Sequence, residues 1–514
     1  MIPSIIKPNS KIILVNEQPS LANVDAGLNF SGKRGKALTK ALHLAGINKD
    51  DCSITNIENP ESLAKELAAT KPNVAVALGD GALFALTGER GITKWRGSIL
   101  PSTLVAGLKV VPSLHPDWIY GGQFQHFWSL VGDLTRVEAQ SHFPEIRRPQ
   151  WTSHLSPSLV VARDFLQAIP SDAPWCLDIE TRAGHVACFS IASGDAAMCF
   201  PIQNPSGAFY FPSHEAALWR EVQALMDKNP NLVGQNLTFD LEYLFDYGLE
   251  PSGIYMDTML SHAILYPEFP KSLAFLVALY TEMPYYKDEG KVSNPKIDTK
   301  TLHEYNNKDT IGTLWCAEAI SKELRKRGLW PVHEFVTKEI SLALEMQRNR
   351  LKVDPAKREE LKQMVSASQS EIDSKWDSTM RKLAGDKAPG RPNVNSPKQV
   401  AEFLYGPTGL KLPKKTWMGK VVSDEAALTE LKARHPDIPE LGWILEERHL
   451  RKLNSSYLDI ELEPDGTLGG GWCPNGTETG RWTSGKGPRG RGLNLQAVPK
   501  AVRWMIVPEE RQAA

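Results

Sequence analysis

The most constraining feature of the sequence is a pair of carboxylates at the end of an apolar run. Asp178 and Glu180 stand two residues apart in WCLDIET, which begins with the strand-like stretch Trp175–Ile179. Residues i and i+2 of a strand project from the same face, so both carboxylates can converge on one point. A D-x-E pair occurs by chance about twice in a chain of this length. Alone, the pair therefore indicates nothing more than a solvated strand end.

Two later segments add carboxylates at helical spacing. GQNLTFDLEYLF places Asn236 and Asp240 four residues apart at the start of a predicted helix, and EYNNKDTIGTLW spaces Tyr305 and Asp309 in the same way. Residues four apart share one face of a helix. Carboxylates without cysteine or histidine ligands suit hard cations such as Mg²⁺ or Mn²⁺. Two such ions about 4 Å apart can activate a water and stabilise both the attacking and the leaving oxygen when a phosphodiester is cleaved. A nearby tyrosine hydroxyl can orient that water.

In this order, the three segments resemble the motifs of the DnaQ-like 3′–5′ exonucleases, specifically the proofreading domain of family A DNA polymerases. The run DTMLSHAILYP, from Asp257, resembles the same family. The resemblance implies an RNase H-like fold, two Mg²⁺ or Mn²⁺ ions, and a water oriented by Tyr305. The metal ligands that it implies are Asp178, Glu180, Asp240 and Asp309. We also expect Asn236 to contact DNA; the alternative is a structural role for all these side chains.

The last third of the chain resembles the polymerase part of family A. NVNSPKQVAEFLYGPTGLKLP, from Asn393, and LEERHLRKLNSSYLDIE, from Leu445, resemble the thumb, and TGRWTSGKGPRGRGLNLQAVPKAVRWMIVP, from Thr479, resembles the start of the palm. Residues 479–508 carry six basic residues and no acidic one, which suits phosphate contacts, although a basic solvated loop has the same composition. The predicted DNA-binding residues here are Thr479, Arg481, Lys486, Arg489, Arg491, Asn494 and Gln496.

The sequence stops at Ala514, before the palm aspartates and the fingers that family A would supply next. We therefore expect an exonuclease that does not polymerise alone, and a second polypeptide that carries the palm and fingers. A natural split subunit and a truncated polymerase both fit this pattern. Val502–Val507 is predicted to be a strand whose partners lie outside the chain.

Four short segments near the start of the chain carry a second resemblance. They are VNEQPS from Val15, NFSGKRGKAL from Asn29, ITNIENP from Ile54 and VPSLHPDW from Val111. They resemble the uracil-DNA glycosylase superfamily, most closely its families 4 and 5. Such an enzyme must flip a base onto an aromatic ring, read its edge with an amide and stabilise charge on the departing base. The resemblance assigns water activation to Glu17, stacking to Phe30, base reading to Asn56 and leaving-group stabilisation to His115.

The first of these segments departs from the family, because Asn16 and Ser20 stand where the family has glycines. The cysteines that hold an iron–sulfur cluster in many members are absent, so no such cluster is expected. We therefore expect this domain to keep the fold and to bind DNA or uracil with weak excision or none. The alternatives are a repair enzyme that excises uracil and a non-catalytic module that docks a partner.

The length of the chain, 514 residues, is about three times a typical domain length. Apolar runs alternate with helical stretches up to about residue 329, which predicts an α/β fold class with parallel strands, followed by a mostly helical thumb. We place a uracil-DNA glycosylase-like domain at 1–135, a linker at 136–155, the exonuclease domain at 156–330, the thumb at 331–470 and an incomplete palm at 471–514.

Composition narrows the setting in which the protein works. The formal net charge of −1 excludes a uniformly basic nucleic-acid coat but allows a local basic patch. Six cysteines without a C-x-x-C pair argue against a zinc ribbon or a disulfide framework and suit a reducing compartment. No run of 18 apolar residues is present. We expect the cytoplasm of a bacterial or phage-infected cell, with DNA and no membrane as partner.

Overall fold

The computed structural model of the protein describes most of the chain. The described residues are 3–17, 30, 32–120, 124, 126–204, 207–208, 212–290, 298–383, 391–407, 409–413, 416–417 and 420–507. The chain divides into two compact units, Met1–Leu342 with Pro474–Trp482 and Ala343–Cys473 with Thr483–Ala514. The first unit contains two α/β domains.

The N-terminal domain is built on a five-stranded sheet with helices on both faces. The strands are β1 Ile12–Asn16, β2 Ser53–Asn56, β3 Val74–Leu78, β4 Leu100–Pro101 and β5 Lys109–Ser113, in the order β2-β1-β3-β5-β4. Neighbours pair in parallel except β4, which is antiparallel to β5. The helices are α1 Gly32–Leu44, α2 Pro60–Thr70, α3 Asp80–Thr87, α4 Ile92–Trp95, α5 Asp117–Tyr120 and α6 His126–Ser141.

Burial on both faces explains the continuous apolar strands of this sheet. β1 (IILVN) and β3 (VAVAL) are buried at every position, as expected where helices cover a parallel sheet. Leu14 joins a core with α1 and α6, whereas Ile13 joins a second core with α2 and α3. Asn16 and Asn56 end adjacent strands in register. They therefore lie at the carboxyl edge of the sheet, where open α/β folds hold ligands.

The second domain is built on a six-stranded sheet. Its strands are β6 Thr152–Leu155, β7 Trp175–Arg182, β8 His185–Ser193, β9 Ala196–Pro201, β12 Leu232–Gly234 and β13 Ile254–Asp257, in the order β13-β12-β7-β8-β9-β6; β10 Gln203–Asn204 and β11 Gly207–Ala208 form a separate hairpin. β7, β8 and β9 are an antiparallel meander, and β6, β12 and β13 join by parallel pairing. This is the RNase H-like arrangement that the sequence predicted. The helices are α7 Leu159–Ala168, α8 Pro212–Lys228, α9 Leu237–Leu244, α10 Thr258–Leu265, α11 Leu273–Tyr280 and α12 Thr299–Lys326.

The 28-residue helix α12 packs on this sheet and forms the centre of the domain core. Its apolar residues Ile311, Cys316 and Ile320 join one cluster with Cys176 of β7 and Val233 of β12. Because α12 carries the third predicted motif and β7 the first, this packing brings the two motifs together.

The predicted linker at 136–155 is shorter in the structure. α6 continues to Ser141, and β6 begins at Thr152 and pairs in parallel with β9. Residues 142–151 connect them without helix or strand. Pro144 and Pro149 lie in this stretch, and proline interrupts both kinds of backbone hydrogen bonding.

The second unit is mostly helical, as expected for a thumb. After α13 Trp330–Arg348, the helices are α14 Pro355–Leu383, α15 Pro397–Tyr405, α16 Glu425–Arg434, α17 Glu440–Leu453, which continues as a π-helical turn over Asn454–Leu458, and α18 Lys500–Arg503. Trp376 of α14 is buried edge-on against Phe403 and Trp443, with ring centroids 5.5 Å apart in each pair. Among helices of the described residues, none combines the length and the apolar character needed to cross a membrane.

A small sheet in this unit corrects one expectation. Its strands are β14 Leu351–Val353, β17 Thr467–Leu468 and β20 Ile506–Val507, in the order β17-β14-β20. Val502–Val507 is therefore not a strand without partners: its first residues belong to α18, and its last two pair with β14 of the same chain. Two hairpins complete the unit, β15 Thr416–Trp417 with β16 Lys420–Val421 and β18 Gly471–Cys473 with β19 Thr483–Gly485.

Candidate active site

Strand β7 and helix α12 bring three of the predicted carboxylates together. Carboxylate oxygens of Asp178, Glu180 and Asp309 lie within 4.8 Å of one another. Asp178 and Glu180 project from the same face of the strand, and Asp309 comes from the helix packed against the sheet. We call these three residues the carboxylate cluster.

Asp240, the fourth predicted ligand, lies beside the carboxylate cluster rather than within it. Its Oδ1 accepts a hydrogen bond of 2.9 Å from the backbone N–H of Ile179, the residue between the first two carboxylates. Burial and the negative charge of Asp178 raise the pKa of Asp240 well above its usual range. Asp240 therefore lies next to the strand segment that carries Asp178 and Glu180, and its role as a metal ligand stays a prediction.

The carboxylate cluster carries more negative charge than the ammonium group of Lys287, which pairs with Asp309, can balance. Burial, together with the charge of Asp309, raises the pKa of Asp178 to about 8. Burial and both aspartates raise the pKa of Glu180 well above its usual range. Asp309 Oδ1 is buried and has no hydrogen-bond partner among the described residues. Buried like charges require neutralisation by protons or a cation, so these oxygen ligands fit Mg²⁺ or Mn²⁺.

Tyr305 lies one helical turn before Asp309, and Lys287 contacts both. Lys287 Nζ donates to the Tyr305 hydroxyl at 2.9 Å and to Asp309 Oδ2 at 2.5 Å. Gly290 packs on the tyrosine ring, where a Cβ would lie 2.2 Å from the nearest ring atom, so this approach requires glycine. Sequence reasoning missed Lys287 and Gly290 because they lie outside the three motifs, in YYKDEGK, at no periodic spacing from them.

Asn306 positions the first carboxylate of the cluster. Its Nδ2 donates to Asp178 Oδ2 at 2.6 Å and to the Asp178 backbone carbonyl at 3.3 Å. The side chain is fully buried. Sequence reasoning missed this residue as well, because its partner Asp178 lies 128 residues earlier in the chain.

Asn236 and Asp257 shape the loop that precedes Asp240. Asn236 adopts a left-handed conformation with φ of 61°, and its backbone N–H donates to Asp257 Oδ1 at 3.2 Å. The second oxygen of Asp257 accepts from Leu237 N–H at 2.8 Å, and Oδ1 also caps α10 through Met259 N–H. Asp257 therefore holds the start of α9 in place, and contact of Asn236 with DNA stays a prediction.

The N-terminal domain groups its polar residues at the carboxyl edge of its sheet. Asn16 Nδ2 donates to Asn56 Oδ1 at 3.0 Å, and His115 Nε2 lies 2.8 Å from Asn16 Oδ1. Glu17 accepts a hydrogen bond from Gly81 N–H in α3. Asn16, which stands where the family has a glycine, thus bonds both Asn56, predicted to read the base, and His115, predicted to stabilise the leaving group.

Phe30, the predicted stacking residue, belongs to the core of the N-terminal domain. It is 5% exposed and clusters with Leu38 and Leu42 of α1. Most of its ring is therefore already covered by protein atoms. Ser20 and the start of the segment at Asn29 lie outside the described residues.

The predicted DNA contacts near the end of the chain fall in both units. Arg491 is partly buried and pairs with Glu461 at 2.9 Å, so its charge is largely balanced within the chain. Asn494 caps a short 3₁₀ turn by accepting from Gln496 N–H at 3.0 Å. In the first unit Thr479 and Arg481 are exposed; in the second, Lys486, Asn494 and Gln496 are exposed and Arg489 and Arg491 are partly buried.

Three protein families match successive parts of the chain. Residues 3–135 match the uracil DNA glycosylase superfamily, residues 173–325 a 3′–5′ exonuclease family, and residues 358–513 DNA polymerase family A. The chain therefore joins a glycosylase-superfamily domain to a domain that matches a 3′–5′ exonuclease family and a segment that matches DNA polymerase family A. The family model shows that a polymerase segment is present, and a second polypeptide with palm and fingers stays a prediction.

Individual relatives agree with this division. The type-4 uracil-DNA glycosylase of Thermotoga maritima is 32% identical over 130 residues, which are 22% of this chain and 67% of that protein, so the N-terminal domain belongs to that superfamily. DNA polymerase I of Borreliella burgdorferi is 28% identical over 284 residues, 54% of this chain and 29% of that protein. DNA polymerase I of Synechocystis is 31% identical over 238 residues, 44% of this chain and 23% of that protein. The matches thus span less than a third of either polymerase.

A solved structure shares the fold over much of the chain. It is the POL domain of Pol1 from M. smegmatis in complex with DNA primer-template and dNTP, with a TM-score of 0.52 and 18% identity. The match covers 68% of this chain and 57% of that chain. At this identity the likeness supports the fold.

Proposed function

We propose that the middle domain is a metal-dependent 3′–5′ exodeoxyribonuclease that removes nucleotides from DNA ends in a proofreading role. The observation that carries the proposal is the carboxylate cluster, whose oxygens lie within 4.8 Å of one another; one further oxygen, Asp309 Oδ1, has no hydrogen-bond partner among the described residues. The exonuclease family match and a fold relative bound to primer-template support DNA as the substrate.

The protein side chains divide the work of such a reaction. Bound Mg²⁺ or Mn²⁺ ions would supply an activated water and neutralise charge on the scissile phosphate. Asp178, Glu180 and Asp309 would hold one ion, and Asp178 with Asp240 the other. The Tyr305 hydroxyl, which accepts a hydrogen bond from Lys287 beside Asp309, would orient the attacking water.

Two further residues act on this arrangement without being metal ligands. Asn306 fixes one rotamer of Asp178, so the ligand is preorganised before a cation binds. The ammonium group of Lys287 brings a positive charge to the cluster, where it offsets negative charge that grows on the phosphate in the transition state.

A 5′-labelled single strand tests the activity and its direction. With Mg²⁺ the full chain should give a ladder of shorter labelled products, and removal of the metal with a chelator should stop the reaction. In the double variant D178N/E180Q the exonuclease rate should fall by at least about 10³-fold. Two predicted ligands of the metal ions are lost, and these ions stabilise the charge that develops in the transition state. D195N, an exposed carboxylate in the turn between β8 and β9, is the matched control and should keep full activity. Full activity in D178N/E180Q would reject the site.

For the N-terminal domain we propose recognition of uracil or DNA with weak excision or none. The supporting observation is that Asn16 bonds both Asn56 and His115 and so competes with a base for the same polar atoms. Uracil-containing and thymine-containing strands should be compared for binding and for base release. Equal binding of both strands, unchanged in N56A, would reject recognition of uracil. Robust uracil release, abolished in both H115A and E17A, would instead establish a repair glycosylase.

A further inference from the structure

Two cysteines and a histidine form a second cluster of ligand-type side chains in the exonuclease domain. The Sγ atoms of Cys188 and Cys199 and an imidazole nitrogen of His303 lie within 4.8 Å of one another. The three residues are 0%, 0% and 2% exposed, respectively. None of them belongs to the carboxylate cluster, and the hydrolytic reaction requires none of them.

The fold itself creates this juxtaposition. β8 and β9 pair antiparallel with Cys188 opposite Pro201 and Ser190 opposite Cys199, so the two thiols are diagonal neighbours on one face of the sheet. α12 packs on that face and supplies His303. Ala187, Leu302 and Leu155 pack around the thiols and exclude water from them.

The imidazole of His303 has one nitrogen without a partner. Nδ1 lies 3.2 Å from Ser156 Oγ, whereas Nε2 is buried and has no hydrogen-bond partner among the described residues. Buried polar atoms are rarely left unsatisfied. A histidine that binds a metal through one nitrogen is commonly fixed by a hydrogen bond at the other, which Ser156 can provide.

Asn306 offers a fourth ligand atom at a suitable distance. Its Oδ1 accepts a hydrogen bond of 3.7 Å from each of the thiols Cys188 Sγ and Cys199 Sγ, and a metal ion would replace the two thiol protons. Bonds of about 2.3 Å from zinc to sulfur and about 2.1 Å to oxygen give a sulfur–oxygen edge of about 3.6 Å in a tetrahedron. The two sulfur–oxygen distances therefore match two edges of a tetrahedral zinc site.

We propose that Cys188, Cys199 and His303, with Asn306 Oδ1 in the fourth position, bind a structural zinc ion. The two thiols release their protons to solvent as the zinc–sulfur bonds form. Thiolate and imidazole ligands select Zn²⁺ over Mg²⁺ and Mn²⁺, so this site is chemically distinct from the carboxylate cluster. A closed site of full protein coordination is typical of structural zinc, which is acquired as the chain folds.

The site has a direct connection to the exonuclease. The side-chain oxygen of Asn306 faces the two thiols, and its Nδ2 donates a hydrogen bond of 2.6 Å to Asp178 Oδ2. Zinc would thus fix the amide plane and, through it, one predicted ligand of the catalytic ions. Loss of zinc should raise the Mg²⁺ concentration that half-saturates the exonuclease, with a smaller effect on the rate at saturating Mg²⁺.

Metal analysis of the full chain tests the proposal. Protein produced in zinc-supplemented medium and dialysed against Mg²⁺ should retain one zinc per chain. Protein refolded with Co²⁺ should show the intense absorption of cobalt–thiolate charge transfer, which carboxylate ligands do not give. C188S, C199S and H303Q should lose most of the zinc. C176S and C316S remove buried thiols of the same domain outside the cluster and should retain it.

The wild-type measurements decide the outcome even if a variant fails to fold. Folded wild-type protein without zinc and without the cobalt–thiolate band would overturn the proposal. A disulfide between Cys188 and Cys199 in the purified protein, found by mass spectrometry, would overturn it as well. Equal zinc loss in C176S and C316S would show that the metal binds elsewhere.

Discussion

At the scale of single residues, Asn16 is the side chain most informative about the N-terminal domain. Its amide bonds Asn56 and His115, which the family resemblance assigns to base recognition and to the leaving group. Asn16→Gly should free both side chains. Because a net hydrogen bond contributes about 1 kcal/mol, removal of two competing bonds should raise uracil binding or release by about tenfold or more. Fluorescence anisotropy and a base-release assay measure the two effects.

The second variant in this test is N16G/H115A. Any increase in uracil release that N16G shows should be absent from this double variant, because the side chain predicted to donate to the departing base is removed. If N16G leaves both binding and release at the wild-type level, Asn16 does not obstruct a base site.

The pKa of Asp178 makes a prediction for metal binding. Burial and Asp309 raise this pKa to about 8, so below that pH the metal-free side chain holds a proton that a cation must displace. The affinity for Mn²⁺ should therefore rise with pH up to at least about pH 8, and the raised pKa values of Glu180 and Asp240 act in the same direction. Calorimetry in buffers of different ionisation enthalpy should detect release of protons when Mn²⁺ binds. An affinity independent of pH between about 6 and 8 would contradict this assignment.

At the scale of secondary-structure elements, the segment between α11 and α12 meets the tyrosine of the third motif. Gly290 leaves no room for a Cβ, which would lie 2.2 Å from the Tyr305 ring. Gly290→Ala should displace the ring and lower the turnover number on single-stranded DNA by about 10²-fold, with little change in fold, because small displacements of positioning groups are costly. Gly442→Ala in α17 meets only ordinary contacts and is the matched control. Equal turnover in the two variants would show that Tyr305 does not need its observed position.

Sequence patterns predicted the strands and helices that carry the motifs better than they predicted side-chain contacts between distant segments. The apolar run before Asp178 and the four-residue spacing of Tyr305 and Asp309 were sufficient to predict a strand and a helix that carry the motifs, and the family match confirms the exonuclease domain. Lys287 and Asn306 could not be assigned, because their partners are distant in sequence and are brought near only by the packing of α12. The cysteine pattern was uninformative for the same reason: the strand pairing, and not a local spacing, joins Cys188 and Cys199.

At the scale of the whole molecule, the two α/β domains of the first unit are in contact beside the exonuclease site. Lys94 pairs with Asp288 at 2.7 Å, and Trp95 meets Tyr285 edge-on with centroids 5.3 Å apart. These contacts hold the segment that carries Lys287, which bonds Asp309. We therefore predict that the N-terminal domain stabilises the proposed exonuclease site through this segment.

Trp95→Ala tests that support. The variant should retain a folded exonuclease domain but lose several-fold in exonuclease efficiency, because Lys287 is held less firmly. Phe84→Ala removes an exposed aromatic from the same domain and should have no such effect. Steady-state kinetics with a single-stranded substrate compares them, and unchanged efficiency in W95A would show that the domains act independently.

The boundaries between domains were harder to predict than the domains themselves. The linker predicted at 136–155 was too long, because composition did not reveal that α6 extends to Ser141 or that β6 joins the exonuclease sheet at Thr152. A short strand at a sheet edge can be identified only from the strand that it pairs with. For β6 this partner is β9, more than forty residues later in the chain. The pairing of β20 with β14 escaped prediction in the same way.

Above all, the carboxylate cluster is proposed to bind the divalent ions of an exonuclease. Anomalous scattering from crystals of the full chain with Mn²⁺ and a short single strand tests this metal binding most directly. We predict manganese peaks between Asp178, Glu180 and Asp309 and between Asp178 and Asp240, with the 3′ end of the strand beside them. A strand hydrolysed in solution under the same conditions, with no manganese at these carboxylates in the crystal, would contradict the claim.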